Sequence, residues 1–180
     1  PLNAFKLLTT DNLIEARTLA QVLEEGDRDR QEVEASAYLA AAKQVEECAV
    51  FLDHPVIVVN SADWHEGVLG IVASRLVERF KKPAIVISTR SGVGKGSGRS
   101  LPGFSIFKNV LECESLLANF GGHAQACGLS INPENIEPFR HQLNEVARKL
   151  LSDTNVDEDA WLDADIQASD LNGPLLKDLE

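Results

Sequence analysis

The sequence predicts an α/β fold: a small sheet, mixed or mostly parallel, flanked by helices and preceded by a long connector helix. Three observations predict it. Two short apolar, β-branched runs, Val56–Val59 and Ala84–Ser88, bracket a helical stripe of Leu69, Val72, Ala73, Leu76 and Phe80. That strand–helix–strand order is what a right-handed crossover between parallel strands requires. The residues before position 54 keep helical spacing over about 36 positions, roughly 55 Å of helix. Finally, 44% hydrophobic residues in a chain of 180 supply a domain-sized core.

Taken in order, Thr9-Thr10-Asp11-Asn12 reads as a helix start, with Asn12 as cap and Glu15 three residues on. Leu13, Ala16, Ala20 and Leu23 follow at helical spacing, and Val33, Ala37, Ala41, Val45 and Cys48 resume it beyond Gly26. The polar stretch between them allows one continuous connector or two helices in a hairpin. His54-Pro55 ends the helix, since the residue before proline avoids the α region. Ser61–Gly67 is a loop, and Lys81-Lys82 suits the C-terminal end of the next helix. The alternating glycines of Gly92-Val93-Gly94-Lys95-Gly96-Ser97-Gly98-Arg99 predict a flexible loop, or a strand pressed against another backbone or a ligand. Ile106, Val110, Leu111, Leu116, Leu117 and Phe120 read as helical around a break at Cys113–Ser115. A strand is expected at Leu129–Ile131. Asn132-Pro133 then opens an amphipathic helix carrying Ile136, Phe139, Leu143, Val146 and Leu150.

Charge divides the chain. The total is 17 Lys+Arg against 28 Asp+Glu, net −11, which excludes a globally basic nucleic-acid binder. Residues 1–59 hold 5 basic and 11 acidic side chains, residues 131–180 hold 4 and 12, but residues 60–130 hold 8 and 5. The one basic part is also the glycine-rich part, a combination suited to backbone approaching an anion. No apolar run reaches the ~18 residues of a membrane span, and no signal peptide is visible. Cys48, Cys113 and Cys127, without a CxxC pair, suggest a reduced, cytoplasmic setting. The absence of Met suggests a chain cut from something longer, or one whose initiator was removed.

Several chemistries fail on spacing. Gly94-Lys95 is followed by Gly96, so no Walker A loop forms; Ser97 breaks GxGxxG; Leu69 stands where HExxH needs its second His. The four His and three Cys have no zinc spacing. Three segments remain. In Asp63-Trp64-His65-Glu66-Gly67, Trp64 could stack on a base and His65 meet a phosphate, or Trp64 packs and His65 or Glu66 caps. In Gly96-Ser97-Gly98-Arg99-Ser100, the guanidinium and hydroxyls suit an oxyanion, or the segment is an exposed turn. In Gly121-Gly122-His123 with Gly128, the backbone can come close while His123 donates to phosphate, or the segment is a tight turn.

Together, WHEGVLGIVASRLVERFKKPAIVIS, GKGSGRS and FGGHAQACGLSI resemble the DHH-associated domain of the RecJ family, bacterial single-strand-specific 5′-to-3′ DNA exonucleases of the DHH phosphoesterase superfamily. The preceding LLTTDNLIEARTLAQVLEEGDRDRQEVE is similar to the long helix joining that family's two core domains. The resemblance implies three parts: residues 1–53 as N-terminal segment and connector, 54–152 as DHH-associated substrate-binding domain, and 153–180 as acidic linker and start of a further module. It implies that Trp64, His65, Lys95, Arg99, Ser100, Gly121, Gly122 and His123 bind substrate. The partners would be single-stranded DNA, a catalytic domain of the same chain and a single-strand-binding protein, with no membrane. The parent's Mn²⁺ or Mg²⁺ would sit on an Asp-His-His motif that Asp53-His54-Pro55 does not match. No catalytic residue, metal ligand or cofactor is therefore expected here. The parent would serve DNA repair and recombination, while this piece alone would be inactive. A phosphoesterase for short oligonucleotides or nucleotide phosphates, and a noncatalytic protein-interaction scaffold, are the alternatives.

Overall fold

The structure, a computed structural model, describes residues 2–152; the predicted acidic linker and further module lie outside them. Helix α1 (Leu2–Thr9) leads into α2 (Leu13–Glu47). Asn12 caps α2 as its sequence suggests, its Oδ1 accepting from the Ile14 and Glu15 amides at 2.9 and 3.2 Å. Helix α2 runs 35 residues without interruption, about 52 Å, so the hairpin alternative does not form. Gly26 faces open space, and ion pairs along the polar stretch hold the turns on either side: Arg28–Glu24 at 3.4 Å, Arg30–Asp27 at 2.6 Å and Arg30–Glu34 at 3.2 Å.

Only the C-terminal half of α2 touches a core, through Ala37, Ala41, Ala42 and Val45. The small side chains let it lie close to helix α4 (Leu69–Phe80), where Arg75 pairs with Glu34 at 3.2 Å, Arg79 pairs with Glu46, and the Arg75 guanidinium stacks 3.9 Å from the Tyr38 ring centroid. The break after α2 falls at Cys48, which is extended. A short α3 (Ala49–Asp53) separates it from His54-Pro55.

Five strands form one mixed sheet: β1 (Ile57–Ser61), β2 (Ala84–Ser88), β3 (Gly94–Arg99), β4 (Leu117–His123) and β5 (Ala126–Ile131), in the order β1-β2-β3-β5-β4. Strands β1 and β2 are parallel, as the strand–helix–strand pattern predicts, and the three other pairings are antiparallel. A mostly parallel sheet is thereby excluded. Helices α2 and α4 cover Ile57, Val59, Ala84 and Val86 on one face. Helices α5 (Ile106–Leu111) and α6 (Ile136–Ser152) cover Val58, Ile85, Ile87, Leu129 and Ile131 on the other.

Two expectations are corrected. The stripe from Ile106 to Phe120 is helical only to Leu111; after a 3₁₀ turn at Glu114–Leu116 the chain becomes β4. Gly121-Gly122-His123 is therefore the end of a strand and not a tight turn, hairpinned onto β5 through Ala124-Gln125. The glycine repeat is strand β3, and what its glycines press against is a wall of core side chains.

Strand β1 is at the sheet edge, and its free backbone groups are closed by side chains. Asn144 Oδ1 accepts from the Val56 amide at 2.9 Å, Arg140 Nε donates to the Val58 carbonyl at 2.8 Å, and Gln44 donates to the Asn60 carbonyl at 3.2 Å. This blocks the edge against pairing with another strand. All three cysteines are free thiols. No helix among the described residues is long and apolar enough to cross a membrane.

Candidate functional site

Side chains alternate between the faces of a strand, and in β3 the alternation separates two jobs. Gly94, Gly96 and Gly98 face the α5–α6 side. A β-carbon on them would stand 2.6 Å from Ile131 Cγ2, 2.7 Å from Leu129 Cδ1 and 2.6 Å from Cys127 Sγ respectively. These glycines let β3 sink onto its own core. Lys95, Ser97 and Arg99 face the other way, toward the side where α4 lies.

The register of the sheet carries that face outward in three rows. Lys95 pairs with Ser130, which pairs with Asn119; Ser97 with Gly128, then Gly121; Arg99 with Ala126, then His123. Successive rows are about 7 Å apart. Helix α4 reaches only as far as β3, so the β5–β4 part of this face is open: Asn119, Gly121, His123 and Gly128 are all exposed. A trough of about 470 Å³ lies there, lined among others by Lys95, Ser97, Asn119, Gly121, Gly128 and Ser130. Its middle row has no side chain on two of its three strands, and a β-carbon on Gly121 would meet nothing within 4 Å. Gly122 differs. Its φ is +148°, and a β-carbon would come within 2.3 Å of the Ala126 carbonyl oxygen, so glycine is required by the backbone itself.

Polar groups stand in the trough and in the row of the sheet beyond it. Lys95 Nζ donates to Ser130 Oγ at 2.9 Å. Arg99 Nη1 donates to its neighbour Gly98 carbonyl at 2.8 Å and to Ser97 Oγ at 3.1 Å, while the guanidinium lies over Gly70 in the first turn of α4. The Ala124-Gln125 turn is closed by His123 Nδ1, which accepts from the Gln125 amide at 3.4 Å, so the neutral ring carries its proton on Nε2. Glu66 brings a carboxylate to the rim and accepts from Ser91 Oγ at 3.0 Å. Backbone, a guanidinium, an ammonium and an imidazole N–H are thus arrayed for an elongated anion.

Lys95 and Gly121 line the trough, Arg99 and His123 stand in the next row of the sheet beyond it, and Gly122 turns to the opposite face of β4; the other three expected site residues stand apart. Trp64 is 3% exposed, packed in the core among α2 and α4 residues, so its ring has no free face for a base. This corrects the stacking expectation. His65 caps the 3₁₀ turn at Glu66–Val68, its Nδ1 accepting from the Gly67 amide at 3.0 Å, and lines a separate cavity against α2. Ser100 Oγ donates to the Phe104 carbonyl at 2.7 Å and shapes the exit of β3. Sequence reasoning missed Asn119, Ser130 and Gly70. The first two carry no local signal, but a glycine early in an otherwise apolar helix stripe is one.

Among the described residues, no group of three or more His, Cys, Asp or Glu side chains gathers as a divalent ion would require. The described residues therefore do not fit the Mn²⁺ or Mg²⁺ that the resemblance assigns to the parent.

The DHHA1 domain family model matches residues 53–149, and the chain belongs to that family. Within it, the chain is similar to the single-stranded-DNA-specific exonuclease RecJ of several bacteria. It is 40% identical to that of Bacillus subtilis over 152 residues and 34% identical to that of Haemophilus influenzae over 175, covering 83% and 93% of this chain. It spans only 19% and 30% of those proteins. The crystal structure of RecJ from Thermus thermophilus in complex with Mg²⁺ superposes with a TM-score of 0.70 at 28% identity, over 82% of this chain and 22% of that one. A RecJ structure bound to manganese matches with the same TM-score, 0.70, at 29% identity, over 82% of this chain and 36% of that one.

Proposed function

We propose that this chain is the substrate-holding part of a RecJ-like single-strand-specific DNA exonuclease. Residues 54–152 would be its DHH-associated domain and residues 1–53 the connector to a metal-bearing domain of the same protein. The open face of β3, β5 and β4 carries this reading. Arg99 and His123 in one row and Lys95 in another contact phosphates of a single strand, and the Gly121–Gly128 floor admits its backbone. The metal-bearing domain supplies a divalent ion that activates water; the residues here orient the strand and neutralise its charge. The three free thiols fit a reducing, cytoplasmic compartment. Repair and recombination of DNA are the processes such a nuclease serves.

The reading is tested with the 180-residue chain and a fluorescently labelled oligonucleotide. Single-stranded DNA should bind weakly and reversibly, duplex DNA more weakly, and Arg99→Ala or His123→Ala should each lower affinity several-fold. Equal binding by wild type and both variants would overturn it. Incubation with Mn²⁺ should leave the oligonucleotide intact, and digestion by the pure chain would place the catalytic groups here after all.

A further inference from the structure

Glu66 is the only carboxylate among the described residues that line the trough. Ser91 Oγ donates to its Oε1 at 3.0 Å and tethers the side chain there. Among the described residues no ion pair neutralises it, and its Oε2 takes no hydrogen bond. A phosphate beside that charge is repelled. The phosphates of a bound strand therefore follow Lys95 and the Arg99–His123 row, and what turns toward Glu66 is uncharged: a base. The rest of the trough suits a base as well. Gly121 and Gly128 leave the middle of its floor without side chains, and the Asn119 amide is exposed. Ser130 Oγ accepts from Lys95 Nζ and so keeps its own proton to donate. The volume of about 470 Å³ lies within the range of small-ligand pockets, about 300–1,000 Å³.

An ionised carboxylate accepts hydrogen bonds and donates none. Cytosine, adenine and guanine carry an exocyclic amino group that can donate to it. Thymine presents its O4 carbonyl where cytosine has the amino group, and the carboxylate repels those lone pairs. We propose that Glu66 is a specificity-determining residue of the trough: its free Oε2 accepts from the amino group of a cytosine, adenine or guanine base and disfavours thymine at that position. The inference rests on the single-strand reading of the trough and adds a base preference to it.

The test is titration of the 180-residue chain with fluorescently labelled oligodeoxycytidine and oligodeoxythymidine of equal length, at pH 8, where cytosine is neutral. The cytosine strand should bind about fivefold more tightly than the thymine strand. Glu66→Gln keeps an acceptor for Ser91, but its carboxamide both donates and accepts. It should bring the ratio to about one, chiefly by strengthening the thymine strand. Ser91→Ala removes the tether and leaves the carboxylate, so cytosine should still be preferred. The proposal is overturned if wild type binds the two strands equally, if the ratio survives Glu66→Gln, or if Ser91→Ala alone abolishes it, which would make the turn and not the carboxylate the determinant. In each of those cases Arg99→Ala should still weaken both strands. Failure of the trough itself looks different: Arg99→Ala would then bind both strands as tightly as wild type, which overturns both readings.

Discussion

Gly70 and Arg99 are fitted to one another: a β-carbon on Gly70 would stand 2.7 Å from Arg99 Nη2. The missing side chain on α4 leaves the space that the guanidinium occupies beside the helix. Gly70→Ala separates this role from stability. Alanine is the better helix former by about 1 kcal/mol, and Arg99 can yield by moving its flexible end. The variant should therefore melt at the same temperature or higher, yet bind an oligonucleotide several-fold more weakly. Unchanged affinity in an anisotropy titration would show that the placement of Arg99 against α4 is immaterial.

The two glycines ending β4 should respond in opposite ways. Gly121 has room for a side chain, and β-branched residues suit strands, so Gly121→Val should preserve or raise stability while filling the trough and lowering oligonucleotide affinity. Gly122→Ala forces a side chain into a strained conformation and against the Ala126 carbonyl. The strain alone costs about 1–3 kcal/mol, measurable as a lowered urea midpoint.

This contrast also marks how much of the site is readable in the sequence. Val56–Val59, Leu69–Phe80 and Ala84–Ser88 are legible because strand and helix periods are local properties of sequence. Strand β4 is hidden because Leu116, Leu117 and Phe120 fit a helical spacing; only pairing with β5, a partner across a hairpin, makes them a strand. The rows Lys95–Ser130–Asn119 and Ser97–Gly128–Gly121 exist only through register, which no single segment encodes. Trp64 reads as a stacking residue beside His65, but it is buried in one cluster with residues such as Ala37 and Ala41, more than twenty positions away in α2.

The edge of β1 predicts a purely structural variant. Asn144→Leu removes the acceptor for the buried Val56 amide and leaves it unsatisfied, at a cost of about 1–3 kcal/mol. Its own Nδ2 bond to the Arg140 carbonyl, 2.9 Å, is lost as well. Denaturant unfolding should register this loss, while oligonucleotide binding measured well below the transition should stay unchanged, because Asn144 lies on the far side of the sheet from the trough.

Burial pushes the thiols of Cys113 and Cys127 up to about 11 from an ordinary 9.0. At pH 8 both are protonated and enclosed, so iodoacetamide should modify the half-buried Cys48 first. The same shift sets a pH dependence. The unfolded chain loses these protons near pH 9 and the folded one near pH 11, so the stabilisation is complete below pH 9 and fades as pH rises through 11. Melting temperatures should fall across that window. A double Cys113→Ala, Cys127→Ala variant should show a shallower fall, whatever its stability at pH 7.

Salt dependence should report how many cations in the trough meet phosphates. Binding to single strands releases counterions, with a slope of log K against log salt near −0.7 per neutralised phosphate. Lys95 and Arg99 stand two rows apart on the same strand, far enough to engage different phosphates, so the wild-type slope should be about −1.4. Removing either charge should bring it to about −0.7, and removing both should bring it close to zero. His123→Gln, which keeps an N–H donor but not the imidazole's reach, should lower affinity at all salt concentrations. A steep wild-type slope that survives loss of both Lys95 and Arg99 would mean that the strand is held elsewhere on the basic middle part of the chain.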